Sequence, residues 1–261
     1  MAETQHSRTA LVTGASSGIG AEFARQLAAR RYNLTLVGRR ADRLARVAAE
    51  LHSKYAITAE PLVADLEQDA DVRLVEERIT GLPTLDLLVN NAGFGIDKTF
   101  AEADLAGQLA MLKVHVVAPN RLAHAALPRM IARRSGGIIN VASLAAFMAL
   151  PTNVNYCATK AYLVTFSRSL AAEVEKKGIK VQALCPGFTI TEFHDRPEQG
   201  GAGREGSPRF LWGSAQSVVA DSLHALNRGQ VVCVPGFINH VIRLFTRTGL
   251  VDRLAPLFLK T

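Results

Sequence analysis

The stretch Thr9-Ala10-Leu11-Val12-Thr13-Gly14-Ala15-Ser16-Ser17-Gly18-Ile19-Gly20 decides how this chain folds. A short apolar run suited to a buried strand ends in a glycine-rich turn. The turn opens into a helical pattern that runs to Arg30. Glycines permit positive φ and let a ligand approach the backbone closely. The start of the helix presents free amide donors and the positive end of its dipole, which suits a phosphate. A tight structural turn would use the same glycines for packing alone; the strand–turn–helix context favours the phosphate reading. Three residues separate the first two glycines, where the standard dinucleotide fingerprint has one.

Outward from this turn, apolar runs and amphipathic stretches alternate to the end of the chain. Further strands are expected at 34–37, 59–63, 85–89, 137–141, 181–184 and 231–234. Helices are expected at 41–53, 68–80, 103–133, 155–177 and 217–226, with Pro119 and Pro128 bending or breaking the long third one. Repeated strand–helix units predict an α/β fold of the Rossmann type. This is a doubly wound, mainly parallel sheet of about seven strands with helices on both faces. Ligands of such sheets bind beyond the carboxyl ends of the strands. Gly14, Asp65, Asn91, Ser143 and Pro186 all lie just past those ends, so five separate units feed one crevice.

Tyr156 and Lys160 are one helical turn apart and project from one face of the helix at 155–177. Free tyrosine titrates near 10, so exchanging a proton at neutral pH requires ~4 kcal/mol of help. One ammonium at about 4 Å in an effective dielectric near 20 supplies ~4 kcal/mol, which Lys160 could provide to Tyr156. Ser143 closes the strand at 137–141 and is a candidate partner for a substrate oxygen. Strand 34–37 ends in Gly38-Arg39-Arg40. An acid there would take the ribose hydroxyls of NAD, whereas planar cations suit the extra phosphate of NADP. Exposed helix-entry arginines are the plainer alternative.

Taken together these motifs resemble the short-chain dehydrogenase/reductase family. Thr-Gly-x-x-x-Gly-x-Gly matches Thr13 to Gly20, and Asn-Asn-Ala-Gly matches Asn90 to Gly93. A serine followed by Tyr-x-x-x-Lys matches Ser143, Tyr156 and Lys160, and a Pro-Gly step matches Pro186-Gly187. The match covers about 9–191. The resemblance implies hydride transfer between NADP(H) and a carbonyl or secondary alcohol of an apolar small molecule, with Tyr156 as general acid and base. It implies that Gly14, Ser16, Ser17, Gly18, Ile19, Gly20, Arg39 and Arg40 hold the nucleotide phosphates. Asp65 and Leu66 would meet the adenine. Asn91, Ala92 and Gly93 would line the cofactor's path, with Pro186, Gly187, Thr189 and Thr191 on the far side. Lys160 would also bind the nicotinamide ribose. In many relatives an Asn completes the catalytic set by holding a water beneath the Lys; here that place falls on His115.

The chain has 261 residues, 48% hydrophobic and 20% charged, and reads as a single domain. The segment 189–213, rich in glycine, is expected to be a substrate lid, and 237–261 a variable C-terminal tail. Phe94, Phe147, Leu150, Phe188, Phe193, Phe210 and Trp212 suggest an apolar pocket. A net charge of +7 is scattered among acids at helical spacing, so no nucleic-acid partner is expected. Cys157, Cys185 and Cys233 lack metal-like spacing and read as free thiols; no metal is expected. The polar opening of the chain and the absence of a long apolar run give a cytoplasmic expectation. The segment 237–245 mixes apolar residues with cations, and weak membrane-surface contact is one reading of it. A homodimer or homotetramer is expected. The competing reading is a non-catalytic nucleotide-binding protein on the same fold, against which the intact Ser143, Tyr156 and Lys160 argue.

Overall fold

A computed structural model describes residues 8–96, 98–192 and 211–246. The chain forms, in order, β1 (Thr9–Thr13), α1 (Gly18–Ala29), β2 (Asn33–Gly38), α2 (Ala41–Tyr55), β3 (Ala59–Val63), α3 (Asp69–Gly81) and β4 (Leu87–Asn90). Next come α4 (Leu105–Leu112), a π-helical turn (Lys113–Val117), α5 (Ala118–Arg133), β5 (Gly136–Val141), α6 (Val154–Val174) and β6 (Ile179–Leu184). The described residues finish with β7 (Thr189–Ile190), β8 (Gly213–Ser214), α7 (Ala215–Asn227), β9 (Val232–Cys233) and α8 (Phe237–Thr246).

Seven strands form one parallel sheet in the order β3-β2-β1-β4-β5-β6-β9. Side chains alternate across it, as the pleat requires. Val12, Leu36, Val89 and Ile139 point into a core covered by Phe23 and Leu27 of α1, Leu44 and Leu51 of α2, and Leu223 of α7. Leu11, Val37, Leu88 and Ile138 point the other way, onto Val75 and Ile79 of α3, Leu122 and Met130 of α5, and Val174 of α6. Each fully buried Leu or Phe in these layers contributes about 1.5–3 kcal/mol. Helix α2 shows how the sequence selects its face: Leu44, Val47, Ala48 and Leu51 are buried at helical spacing, and Asp42 stands in the first turn.

Chain order reverses at β1, which pairs with β2 on one side and β4 on the other. A crevice opens there, and hydrogen bonds tie its two lips. The Thr13 hydroxyl accepts from the backbone N–H groups of Asn91 (2.9 Å) and Ala92 (3.0 Å), while the Asn91 amide donates to the Thr13 carbonyl at 2.9 Å.

The long helical region holds, with a change of register inside it. Pro119 has no N–H to donate to the residue 115 carbonyl. The backbone answers with the π turn, and the Ala118 N–H bonds the Lys113 carbonyl instead. The Asn120 side chain donates back to the Val116 carbonyl at 2.7 Å. Pro128 lies inside α5 without ending it. The expected lid is pinned at both ends, because Thr189 and Ile190 pair with Gly213 and Ser214. Its middle, with Phe193 and Phe210, lies outside the described residues, as does the tail beyond 246.

Candidate active site

The crevice is a cavity of about 430 Å³ beyond the carboxyl ends of β1, β2, β4, β5 and β6. Every expected catalytic and cofactor-binding residue lines it, except Gly20 and His115; of the expected apolar pocket, Phe94, Leu150 and Phe188 line it, Phe147 and Trp212 do not, and Phe193 and Phe210 lie outside the described residues. Gly20 packs so closely that a Cβ there would lie 2.2 Å from the Gly14 carbonyl oxygen. Gly14 has φ +65°, and a Cβ would sit 2.8 Å from the Asn91 amide. Only glycine lets α1 approach β4 this closely while leaving bare backbone as the floor of the cleft.

At one end stand the cations. The Arg40 guanidinium folds over the glycine turn and donates to Ser16 Oγ at 2.9 Å and Ser17 Oγ at 2.8 Å. Arg39 turns the other way and bonds Glu67 Oε1 at 3.1 Å, with Asp65 at 4.0 Å. Leu66 is buried beside them. Of the two arginines, Arg40 is the one set against the glycine turn.

At the other end stand Ser143, Tyr156 and Lys160. Lys160 falls on the buried stripe of α6 with Cys157, Leu163, Val164 and Ser167, which is why its head is carried inward. Its Nζ donates to the Val141 carbonyl at 2.9 Å and stands 5.6 Å from the centre of the Tyr156 ring. Burial brings its pKa down to about 8. Burial likewise pushes the Tyr156 hydroxyl up to about 12, against the lowering effect of a hydrogen bond with Ser143, and Cys157 adds to the rise. The expectation that Lys160 draws Tyr156 toward neutrality is therefore not met in this structure. The ammonium is engaged by a backbone carbonyl, and the loss of water around the phenol sets the direction of its shift. Tyr156 is held as a protonated donor.

His115 sits in the π turn and is 1% exposed. The Phe94 N–H donates to its Nε2 at 3.0 Å, so the proton is on Nδ1, which donates to Thr159 Oγ1 at 3.0 Å. Thr159 in turn donates to the Tyr156 carbonyl at 3.0 Å. Burial, and secondarily Lys160, holds the imidazole well below its ordinary pKa, hence neutral. A Cβ on Gly93 would lie 2.8 Å from His115 Nε2 and 3.5 Å from Lys160 Nζ, so Gly93 separates the two by bare backbone.

Sequence reasoning missed Thr13 and Thr159, which bridge elements by hydroxyl. Thr13 was legible as the last residue before the glycine turn. Thr159 stood beside Lys160 with no signal of its own. Asn90 and Asn140 form a second missed bridge beneath the site: Asn90 donates to Asn140 Oδ1 at 2.9 Å, and Asn140 to Ser167 Oγ at 2.9 Å. The three cysteines are free and buried.

Comparison with known proteins gives the class. The family model described as short chain dehydrogenase matches residues 8–200. The chain belongs to the short-chain dehydrogenase family of oxidoreductases. It is 31% identical over 239 residues to the 3-oxoacyl-[acyl-carrier-protein] reductase FabG of Aquifex aeolicus, covering 88% of this chain and 96% of that one. Among solved structures it is similar to a short-chain dehydrogenase from Sphingobium yanoikuyae in complex with NADPH. That match has a TM-score of 0.83 and 32% identity, over 95% of both chains. It is also similar to the bulky-bulky ketone specific alcohol dehydrogenase from Comamonas testosteroni, with a TM-score of 0.79 and 30% identity over 94% of both chains.

Proposed function

We propose that this protein is an NADP(H)-dependent oxidoreductase that interconverts a carbonyl and a secondary alcohol on an apolar substrate. One observation carries the reading. A protonated Tyr156 bonded to Ser143 faces one end of a cavity whose other end presents Arg40, Ser16 and Ser17 on a glycine turn. The cleft fits a dinucleotide: hydroxyls and cations at one end, bare backbone along the floor, and a proton donor at the far end. When bound, a reduced nicotinamide supplies the hydride.

The protein supplies position and the proton. Ser143 Oγ holds the substrate oxygen beside Tyr156. Tyr156 gives its proton to that oxygen as negative charge develops there, and takes it back in the reverse direction. Lys160, buried behind the phenol, stabilises the phenolate left after transfer. His115 fixes the backbone of the Phe94 loop and, through Thr159, the turn that carries Tyr156. Leu144, Met148, Leu150, Phe94 and Phe188 line the substrate end and exclude water. An apolar lining of this kind supports a bulky ketone, and the likeness to a bulky-ketone alcohol dehydrogenase supports the same class.

The test is a panel of ketones and secondary alcohols spanning small, aromatic and polycyclic frames, followed by the reduced nicotinamide band near ~340 nm. Turnover of bulky apolar ketones with NADPH is expected. No turnover of any carbonyl or alcohol with either nicotinamide would reject the proposal in favour of a non-catalytic binding protein.

A further inference from the structure

The phosphate end of the cleft contains an anion supplied by the chain itself. Glu192 follows Thr191, whose side chain packs over Gly18 of the glycine turn: a Cβ added there would meet it at 3.2 Å. This contact carries the chain leaving β7 across the mouth of the cleft. The Glu192 carboxylate then sits between two guanidinium groups, 3.1 Å from Arg40 Nη1 and 2.6 Å from Arg43 Nη1. Arg40 is the same side chain that bonds Ser16 and Ser17. Burial raises the Glu192 carboxyl, but hydrogen bonds from Arg43 and Arg40 more than offset it, and its pKa is lowered. It is an anion at neutral pH.

We infer that Glu192 is a built-in competitor for the phosphate monoester of NADP(H), occupying a cradle formed by Arg40 and Arg43, and that it sets the balance between NADP(H) and NAD(H). The inference rests on the NADP(H) reading and deepens it by assigning Arg43 and Glu192, which that reading leaves out. Guanidinium forks accept a carboxylate or a phosphate with the same geometry. A monoester carries ~1.5–2 negative charges against one for the carboxylate, so both cannot occupy one cradle. Arriving phosphate displaces Glu192. The Glu192 side chain is 44% exposed and can turn to water at little cost. A nucleotide without the monoester leaves the carboxylate where it is. Glu192 therefore lowers affinity for one cofactor and spares the other.

The experiment measures dissociation constants of NADPH and NADH by calorimetry for the wild type, Glu192→Gln, and the double variant Glu192→Gln with Arg43→Ala. Both substituted positions are partly exposed, and circular dichroism establishes that the folds match. The ribose-phosphate fragments 2′-AMP and 5′-AMP serve as nicotinamide-free probes. Glu192→Gln should bind NADPH and 2′-AMP about three- to tenfold tighter, as expected for a partly exposed charge contact. NADH and 5′-AMP should be unchanged. Adding Arg43→Ala should remove the gain, and 5′-AMP, which carries the same monoester charge as 2′-AMP at the other ribose position, controls for a general change of surface charge. A wild type that prefers NADPH but shows no selective gain in Glu192→Gln overturns this inference alone, as does a gain that survives Arg43→Ala. A wild type that binds NADH as well as NADPH overturns the NADP(H) reading and this inference with it.

Discussion

Tyr156 is a phenol that burial keeps protonated, and Lys160 is an ammonium that burial brings within reach of ordinary buffers. Two predictions follow from that contrast. Tyr156→Phe keeps the ring and its packing but removes the transferable proton. Turnover should drop by ~10²–10⁴-fold while NADPH affinity stays within about threefold. Steady-state rates and fluorescence titration measure the two, and a variant within tenfold of wild-type activity would take the proton role from Tyr156. The rate of carbonyl reduction should also fall as pH rises through about 8, where Lys160 loses its charge and the developing phenolate its support. A profile flat from pH 7 to 9 (roughly one unit either side of that value) would show that the Lys160 charge is not needed. At this scale the sequence was highly legible, because Tyr156, Lys160, Ser143 and the glycines have spacings that only a few chemistries use. Arg43 and Glu192 were not. Their pairing spans 149 residues, and neither carries a local signal.

The seven strands of the main sheet and the helices between them were legible in order, since buried parallel strands read as apolar runs and the helices carry 3.6-residue stripes, whereas β7, β8 and α8 fell in segments read as a lid and a tail. Their ends moved by a few residues where caps decided them: α2 runs on to Tyr55 and stops at Ala56, whose φ is 51°. The π turn was foreseen only as trouble near Pro119, because the register change depends on backbone bonding that the sequence does not display. That turn aims His115 inward. His115→Asn should keep most activity, since an amide also offers both a donor and an acceptor. His115→Leu would strand the Phe94 N–H and take away the donor that Thr159 Oγ1 accepts from, costing ~1–3 kcal/mol in urea unfolding and most of the turnover. Full activity in His115→Leu would reduce His115 to packing. Glycines give a paired test. Gly20→Ala drives a Cβ into the Gly14 carbonyl, so nucleotide affinity should collapse. Gly81→Ala at the end of α3 meets nothing within 4 Å and should leave stability unchanged or raise it by up to ~1 kcal/mol. Calorimetric titration and thermal melts distinguish the two; equal effects would discredit the close-packed floor.

For the molecule as a whole, His115 links stability to acidity. Its folded pKa is depressed, so the unfolded chain takes up a proton near pH 6.5 while the native state does not. The stability gained from a neutral His115 is complete above that value and is lost as pH falls below it. Between about pH 7.5 and 5.5 stability should fall, and His115→Asn should abolish that portion of the loss. Urea unfolding at both values tests the sign; a wild type as stable at the lower pH would refute it. Helix α8 leaves Phe237, Leu244 and Phe245 exposed, with Arg243 stacked on Phe147 at 4.9 Å. None of the helices described is long and apolar enough to cross a membrane. Weak flotation with anionic liposomes, lost in Leu244→Glu with Phe245→Glu, is the outcome expected of surface contact. Protein left entirely at the bottom of the gradient would assign this face to packing against other protein.

The bonds between Thr13 and Asn91 also bear on how the chain reaches its native state. They join residues 78 positions apart, at the seam where β1 must wait for two intervening strands before β4 arrives. Closing a loop costs more as it lengthens, by about 0.6 kcal/mol per doubling, so this pairing comes after the local β1–β2 contact. The same hydroxyl and amide that brace the floor of the cleft thus act as the clasp of a late folding step. Weakening them would show first as faster unfolding, before any loss of affinity in protein that had already folded.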